Sequence, residues 1–194
     1  TLEEVLARME EGEAQGWDTV RLHTGDPSLY GAIREQMDAL RQRGIPFDVT
    51  PGVSSFSGAA AAIPAEYTLP GGSQTLILTR MAGRTPVPEA EALSALAAHG
   101  SSLVLFLSAG MVAAARELLA GGTYPPDTPA AIVYKATWPE ERVYPCTLST
   151  LAETARENGI TRTALILVGE FLGENRQRSK LYDGAFSHGF RQGK

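Results

Sequence analysis

The densest run of chemistry-bearing side chains is His23-Thr24-Gly25-Asp26-Pro27-Ser28-Leu29-Tyr30, where an imidazole, two hydroxyls, a carboxylate and a phenol flank a Gly-Asp-Pro turn. Asp26 can cap a following helix or orient a polar ligand, and the residue types alone leave both roles open. A second concentration is cationic. Arg80 and Arg84 share one irregular stretch with Pro86 and Pro88, with Lys135 and Arg142 further on. Guanidinium forks suit carboxylates, whereas any one such cation taken singly is most simply a solvated surface group. Tyr30 and Trp138 either stack on a flat ligand or pack, and packing is the plainer reading. His23, His99 and His188 are far apart in sequence and no metal site is expected; His23 reads as a structural histidine. Cys146 is the single cysteine, which excludes an internal disulfide and a multi-cysteine zinc cluster and leaves a small core residue.

These groups need elements to hold them. Thr1 and Glu4 have capping-box spacing ahead of an apolar face of Leu2, Val5, Leu6 and Met9, and Gly12 and Gly16 close that helix. Thr19 to Leu22 predicts a strand ending at the Gly25-Asp26 loop. A helix is expected from about Gly31 to Arg43, and an extended stretch from Ile45 to Thr50. A loop between a strand end and a helix is where ligands settle in open α/β sheets. Ser54 to Ala62 reads as a helix of small residues that permits close approach, and Leu69-Pro70-Gly71-Gly72 as a linker. Beyond it, strands are predicted at Gln74–Thr79, Leu103–Leu107, Ala131–Tyr134, Arg142–Thr147 and Ala164–Val168. The third and fourth can pair back antiparallel. Helices are predicted at Ala90–His99, Ala113–Leu119 and Leu151–Glu157. The domains are therefore 1–71 and 72–194, with a weakly periodic tail from about residue 174.

With 194 residues, 43% hydrophobic and 20% charged, the sequence is that of an ordinary globular chain. A net charge of −5 and a pI near 5.3 argue against broad nucleic-acid binding. No apolar run approaches the length of a membrane span and no signal-peptide pattern is seen, so a cytoplasmic protein without membrane partners is expected.

Taken together, HTGDPSLYG (His23 to Gly31), PGVSS (Pro51 to Ser55), LILTRMAGRTPVP (Leu76 to Pro88), VYKATWP (Val133 to Pro139) and SKLYDGAFSHGFR (Ser179 to Arg191) resemble the tetrapyrrole methylases over essentially the whole chain. The first two stretches belong to the wider family. The arginine loop and the VYKATWP stretch resemble the narrower group that methylates C-11 of precorrin-4 or cobalt-precorrin-4 during corrin (cobalamin) assembly. The resemblance implies an α/β, two-domain class III methyltransferase fold, with a largely parallel N-terminal sheet, a mixed C-terminal sheet and the cofactor in the interdomain cleft. It implies homodimers, a tetrapyrrole substrate, and S-adenosylmethionine as methyl donor with S-adenosylhomocysteine as product. It also implies that the strand and GxGPG-type loop opening other members, roughly fifty to sixty residues, lie outside this sequence, and that a polypeptide without them binds weakly.

Carried over by position, the resemblance places Thr24, Gly25, Asp26 and Leu29 along the methionine and ribose parts of the cofactor, Ser54 and Ser55 beside it, and Leu107, Ala136 and Ala164 around adenosine. Arg80, Arg84, Tyr30 and Lys135 are the candidates for the substrate, a macrocycle rich in acetate and propionate groups. Ala32 stands where uroporphyrinogen-III methyltransferases carry an arginine, which favours a different tetrapyrrole. Methyl transfer from a sulfonium disperses positive charge at the transition state, so alignment of donor and acceptor matters more than a carboxylate at sulfur. Asp26 is accordingly expected to position the cofactor, and no residue is identified as a general base. The competing readings are methylation at another ring carbon, modification of diphthamide or ribosomal RNA, and a catalytically silent nucleotide- or corrinoid-binding module.

Overall fold

The computed structural model describes residues 1–174, 177 and 179–193. Contacts within the chain group into two compact units, Thr1–Ser57 and Gly58–Lys194. The division lies inside a helix, ahead of the 71/72 boundary expected from composition. The reason is that Tyr67 is tied to the second unit: its carbonyl accepts from Ser102 Oγ at 2.6 Å and its ring lies 4.8 Å from that of Phe171.

In the first unit, α1 (Leu2–Ala14) starts on the expected capping box. The Thr1 side chain accepts from the Glu4 N–H, and the Glu4 side chain accepts from the N-terminal ammonium at 2.5 Å. Gly16, at φ +71°, follows the helix. The next helix, α2 (Arg34–Gln42), begins later than the periodicity predicts, because Tyr30 and Ala32 take left-handed φ values of +56° and +50° and interrupt any helix before Ile33. Two further expectations fail here. Neither Thr19–Leu22 nor Ile45–Thr50 is a strand, and the first unit contains no sheet among the described residues. Local propensity favours extension, but a strand exists only through ladder partners. The two stretches instead line a groove of about 770 Å³ together with Met9, Ile33, Met37 and Leu40.

The helix α3 (Ser55–Ala62) spans the division, and in the second unit a five-stranded sheet runs β1 (Leu76–Arg80), β2 (Ser102–Phe106), β5 (Ala164–Val168), β3 (Pro129–Tyr134) and β4 (Arg142–Thr147) in spatial order. The β1/β2 pair is parallel and the other three pairs are antiparallel, giving the mixed sheet expected. β3 and β4 pair antiparallel as expected, with Pro129 opposite Thr147 and Tyr134 opposite Arg142. All of β2 is buried, as its unbroken apolar run requires. Leu93 and Ala97 of α4 (Leu93–Ala97), Val112, Ala115 and Leu119 of α5 (Val112–Ala120), and Leu151 and Ala155 of α6 (Leu151–Glu157) pack with the sheet in one core. The helix expected over Ala90–His99 is divided into a short 3-10 turn, Glu89–Glu91, and α4 because Ala92 is extended. Among its described residues the tail holds a 3-10 turn, Lys180–Tyr182, and an isolated bridge between His188 and Arg191.

Candidate functional site

In the first unit, Asp26 organises the loop. One carboxylate oxygen accepts from the Ser28 N–H at 2.8 Å and from the Ser28 hydroxyl, and the other accepts from the Gly52 N–H at 2.9 Å. The same residue's carbonyl accepts from the Leu29 N–H. Asp26 therefore does not cap α2, whose N-cap is Ile33 without a side-chain bond; it fastens the Gly25–Leu29 turn to Pro51-Gly52. The hydroxyl of Ser28, then the Gly52 and Ser28 amides, hold its carboxyl below the ordinary carboxylate range. The approach is tight: a Cβ on Gly52 would sit 2.0 Å from the Gly25 carbonyl oxygen, so only glycine fits. Gly25 itself has φ +66°. Ser54 is buried immediately beyond this clasp, and Ser55 begins α3. Thr24 is exposed and Leu29 half-buried. The clasp partners Ser28 and Gly52 were not singled out by sequence, although the Pro51-Gly52 break marks the position.

In the second unit, the ladder brings chemically distinct residues to one end of the sheet. Arg80 is opposite Phe106, Tyr134 is opposite both Ala164 and Arg142, and the β2/β5 register puts Leu107, one residue past β2, at the Ala164 end. Here the backbone is strained. Leu107, Lys135 and Thr137 have φ values of +52°, +47° and +72°, a conformation that costs L-residues about 1–2 kcal/mol each. Leu107 is nonetheless 70% exposed, so no burial of its side chain offsets that strain. The Lys135 N–H donates to the Thr163 carbonyl at 2.9 Å and the Thr137 N–H to Glu141 at 2.6 Å, which fixes Ala136 between them. The small-residue helix comes close: a Cβ on Gly58 would lie 3.2 Å from Thr137 Cγ2 and 3.7 Å from Ala136 Cβ. Leu107, Ala136 and Ala164 thus share a rim of small or exposed apolar groups with fixed main chain. Such a rim suits a flat heterocycle read by backbone groups.

The substrate candidates differ in how their charge is used. The Arg80 guanidinium donates to three main-chain carbonyls. Lys135 Nζ lies 3.3 Å from Glu140, 5.4 Å from the Tyr134 ring centroid and 5.1 Å from that of Trp138, so the tryptophan serves as a cation platform. Tyr30 is partly exposed and has partners of its own. Arg84 is exposed and, among the described residues, has no hydrogen bond or ion pair. Cys146 lies half-buried in β4, and burial raises its thiol pKa, in keeping with a packing residue. Among the described residues no three His, Cys, Asp or Glu side chains gather as metal ligands. Ser108 was missed: it is fully buried just past β2 and accepts from the Met81 N–H at 2.9 Å while donating to the Phe106 carbonyl, so it latches the start of the arginine loop. A serine directly after an apolar strand is the only sequence signal for it.

The fold is that of the class III methyltransferases, with a TM-score of 0.87 and 44% identity to a solved cobalt precorrin-4 methyltransferase, described as a cobalamin biosynthetic enzyme, over 90% of this chain and 73% of that one. A family model described as Tetrapyrrole (Corrin/Porphyrin) Methylases matches residues 1–152, and the chain belongs to that family of methyltransferases. It is 48% identical to the cobalt-precorrin-4 C(11)-methyltransferase of Methanocaldococcus jannaschii, over 98% of this chain and 74% of the relative. With the enzyme of the same name from Priestia megaterium it shares 46% identity over 99% of this chain and 76% of that protein. A uroporphyrin-III C-methyltransferase from Thermus thermophilus, solved in complex with S-adenyl homocysteine, has a TM-score of 0.71 at 26% identity, covering 88% of this chain and 74% of that one.

Proposed function

We propose that this chain methylates C-11 of precorrin-4 or cobalt-precorrin-4, with S-adenosylmethionine as donor, in corrin ring assembly. The observation that carries the reading is the near full-length identity to the C(11)-methyltransferases named above. The site residues fit the cofactor. The Asp26 clasp leaves a loop with a left-handed glycine and closely approaching main chain, and the rim at Leu107, Ala136 and Ala164 offers apolar surface beside fixed peptide groups. When bound, S-adenosylmethionine supplies an activated methyl group on a sulfonium.

The residues of the chain hold and align. Thr24, Gly25, Asp26 and Leu29, with Ser54 and Ser55, are assigned to the methionine and ribose parts, and Leu107, Ala136 and Ala164 to adenosine. Asp26 is a positioner and not a base, because three donors already occupy its carboxylate. Arg84, Tyr30 and Lys135 are assigned to contact the tetrapyrrole, and Arg80 to the same side through its bonds to the loop that carries Arg84. In-line alignment, not proton transfer by a named side chain, carries the rate. We assign the protein to the cytoplasm as a homodimer without nucleic-acid or membrane partners; its net charge of −5 argues against broad nucleic-acid binding, and no described helix is long and apolar enough to cross a membrane.

The test is incubation with methyl-labelled S-adenosylmethionine and each of the two precorrins, with the labelled carbon located by NMR. Label at C-11 is expected. Label at another ring carbon refutes the assignment.

A further inference from the structure

Of the two arginines at the end of β1 and in the loop that follows it, Arg80 is turned inward on the loop and Arg84 has no partner among the described residues. Arg80 Nη1 donates to the Met81 carbonyl at 3.2 Å and to the Thr85 carbonyl at 3.1 Å, and its Nη2 donates to the Pro86 carbonyl at 2.7 Å. These acceptors lie at the two ends of the loop, so a single guanidinium closes it. Two further bonds complete the closure. The Met81 N–H is latched on buried Ser108, and the Gly83 N–H donates to the Thr85 carbonyl at 3.2 Å. Gly83 rests near Met111, where a Cβ would be 3.5 Å from the methionine Cε. Arg84 follows at the turn of this closed loop, exposed and, among the described residues, without a partner.

We infer that Arg80 is a positioning residue: it fixes the 81–86 loop so that Arg84 stands ready to take a carboxylate of the tetrapyrrole, and Arg84 is the specificity-determining contact. The inference rests on the tetrapyrrole reading given above. The chemistry explains why each position is an arginine. At position 80 the planar fork reaches three carbonyls in fixed directions from two nitrogens, which a single lysine ammonium cannot match. At position 84 a free fork binds a carboxylate bidentately. Preorganisation matters because an arginine on a loose loop loses more freedom on binding than one already held.

The test uses the full chain and four proteins: wild type, Arg80→Lys, Arg84→Ala and the double variant. Uroporphyrin, a stable octacarboxylate tetrapyrrole, is titrated by fluorescence quenching, KM and kcat are measured with precorrin-4, and amide exchange of Gly83 is followed. Arg84→Ala is expected to weaken uroporphyrin binding and raise KM about tenfold, with kcat within about twofold and S-adenosylhomocysteine affinity unchanged. Arg80→Lys should show the same pattern more weakly and should speed Gly83 exchange, and the double variant should be no worse than Arg84→Ala alone. Additive losses would mean that Arg80 acts independently of Arg84, and would overturn the inference. So would an Arg80→Lys variant with fast Gly83 exchange but unchanged tetrapyrrole binding. The porphyrin titration and the exchange measurement need no turnover, so methylation at another ring carbon defeats the functional reading while these two measurements still decide the roles of Arg80 and Arg84.

Discussion

At the scale of single residues, Asp26 shows how a carboxylate in the proposed cofactor loop spends its bonds on holding that loop. Each oxygen has its own donor set: Ser28 on one side and the Gly52 amide on the other. Asp26→Asn keeps the shape but turns one acceptor into a donor. In either orientation of the amide, an N–H then faces an N–H. The expected outcome is at least a tenfold loss of S-adenosylhomocysteine affinity by calorimetry while the far-UV circular dichroism is retained; wild-type affinity in the variant would remove Asp26 from the cofactor loop. The pH dependence follows from the same bonds. The folded pKa is lowered, so the anion's contribution is complete above the unfolded value of roughly 3.9 and is lost as pH falls through the folded value. Wild-type affinity should therefore show no Asp26-linked change between neutral pH and about pH 5, with the clasp failing only in stronger acid.

At the scale of elements, the sheet of the second unit is the part that sequence describes well. Leu103 to Phe106 and Ala164 to Val168 lie in unbroken apolar runs, and such runs have few fates other than a strand covered on both faces, whereas Leu107 at the end of the first run leaves the strand and is exposed. The β3–β4 hairpin was legible from two extended stretches joined by a short loop. Because Ile132 is wholly buried and β3 is hydrogen-bonded on both edges, Ile132→Ala should cost about 2–5 kcal/mol, seen as a lowered denaturant midpoint with the slope unchanged. What sequence could not supply was non-local or conformational. Thr19 to Leu22 has strand composition, yet composition does not provide a partner. Tyr30 and Ala32 carry no mark of the left-handed backbone that delays α2. In the candidate site, the residue types were visible but their uses were not. Arg80 looks like a ligand-binding cation until its loop is folded and its N–H groups are found donating to the carbonyls of Met81, Thr85 and Pro86. Asp26 looks like a cap until Gly52 is brought beside it.

At the scale of the whole molecule, the two units differ in what holds them. The core cluster lies entirely in the second unit, running from Met81 to Val168, and its sheet satisfies the main chain of β2, β5 and β3 along both edges. In the first unit the only buried large apolar side chains are Leu6 and Leu40, whereas Val20 is 76% and Leu22 79% exposed on a segment with no ladder partner. Opening free energy follows buried apolar contact and protected hydrogen bonds, so the first unit should open well below the global unfolding free energy. Hydrogen exchange followed by mass spectrometry provides the measurement. Amides of 18–23 and 47–50 should exchange at the earliest time point and those of α1 and α2 soon after, while β2, β3 and β5 exchange only through global unfolding. Denaturant should then give non-coincident transitions, with the fluorescence of Trp17 changing before that of Trp138, since each tryptophan reports on one unit. Equal protection in both units, with a single coincident transition, would show that the first unit has a source of stability beyond its buried side chains and hydrogen-bonded helices.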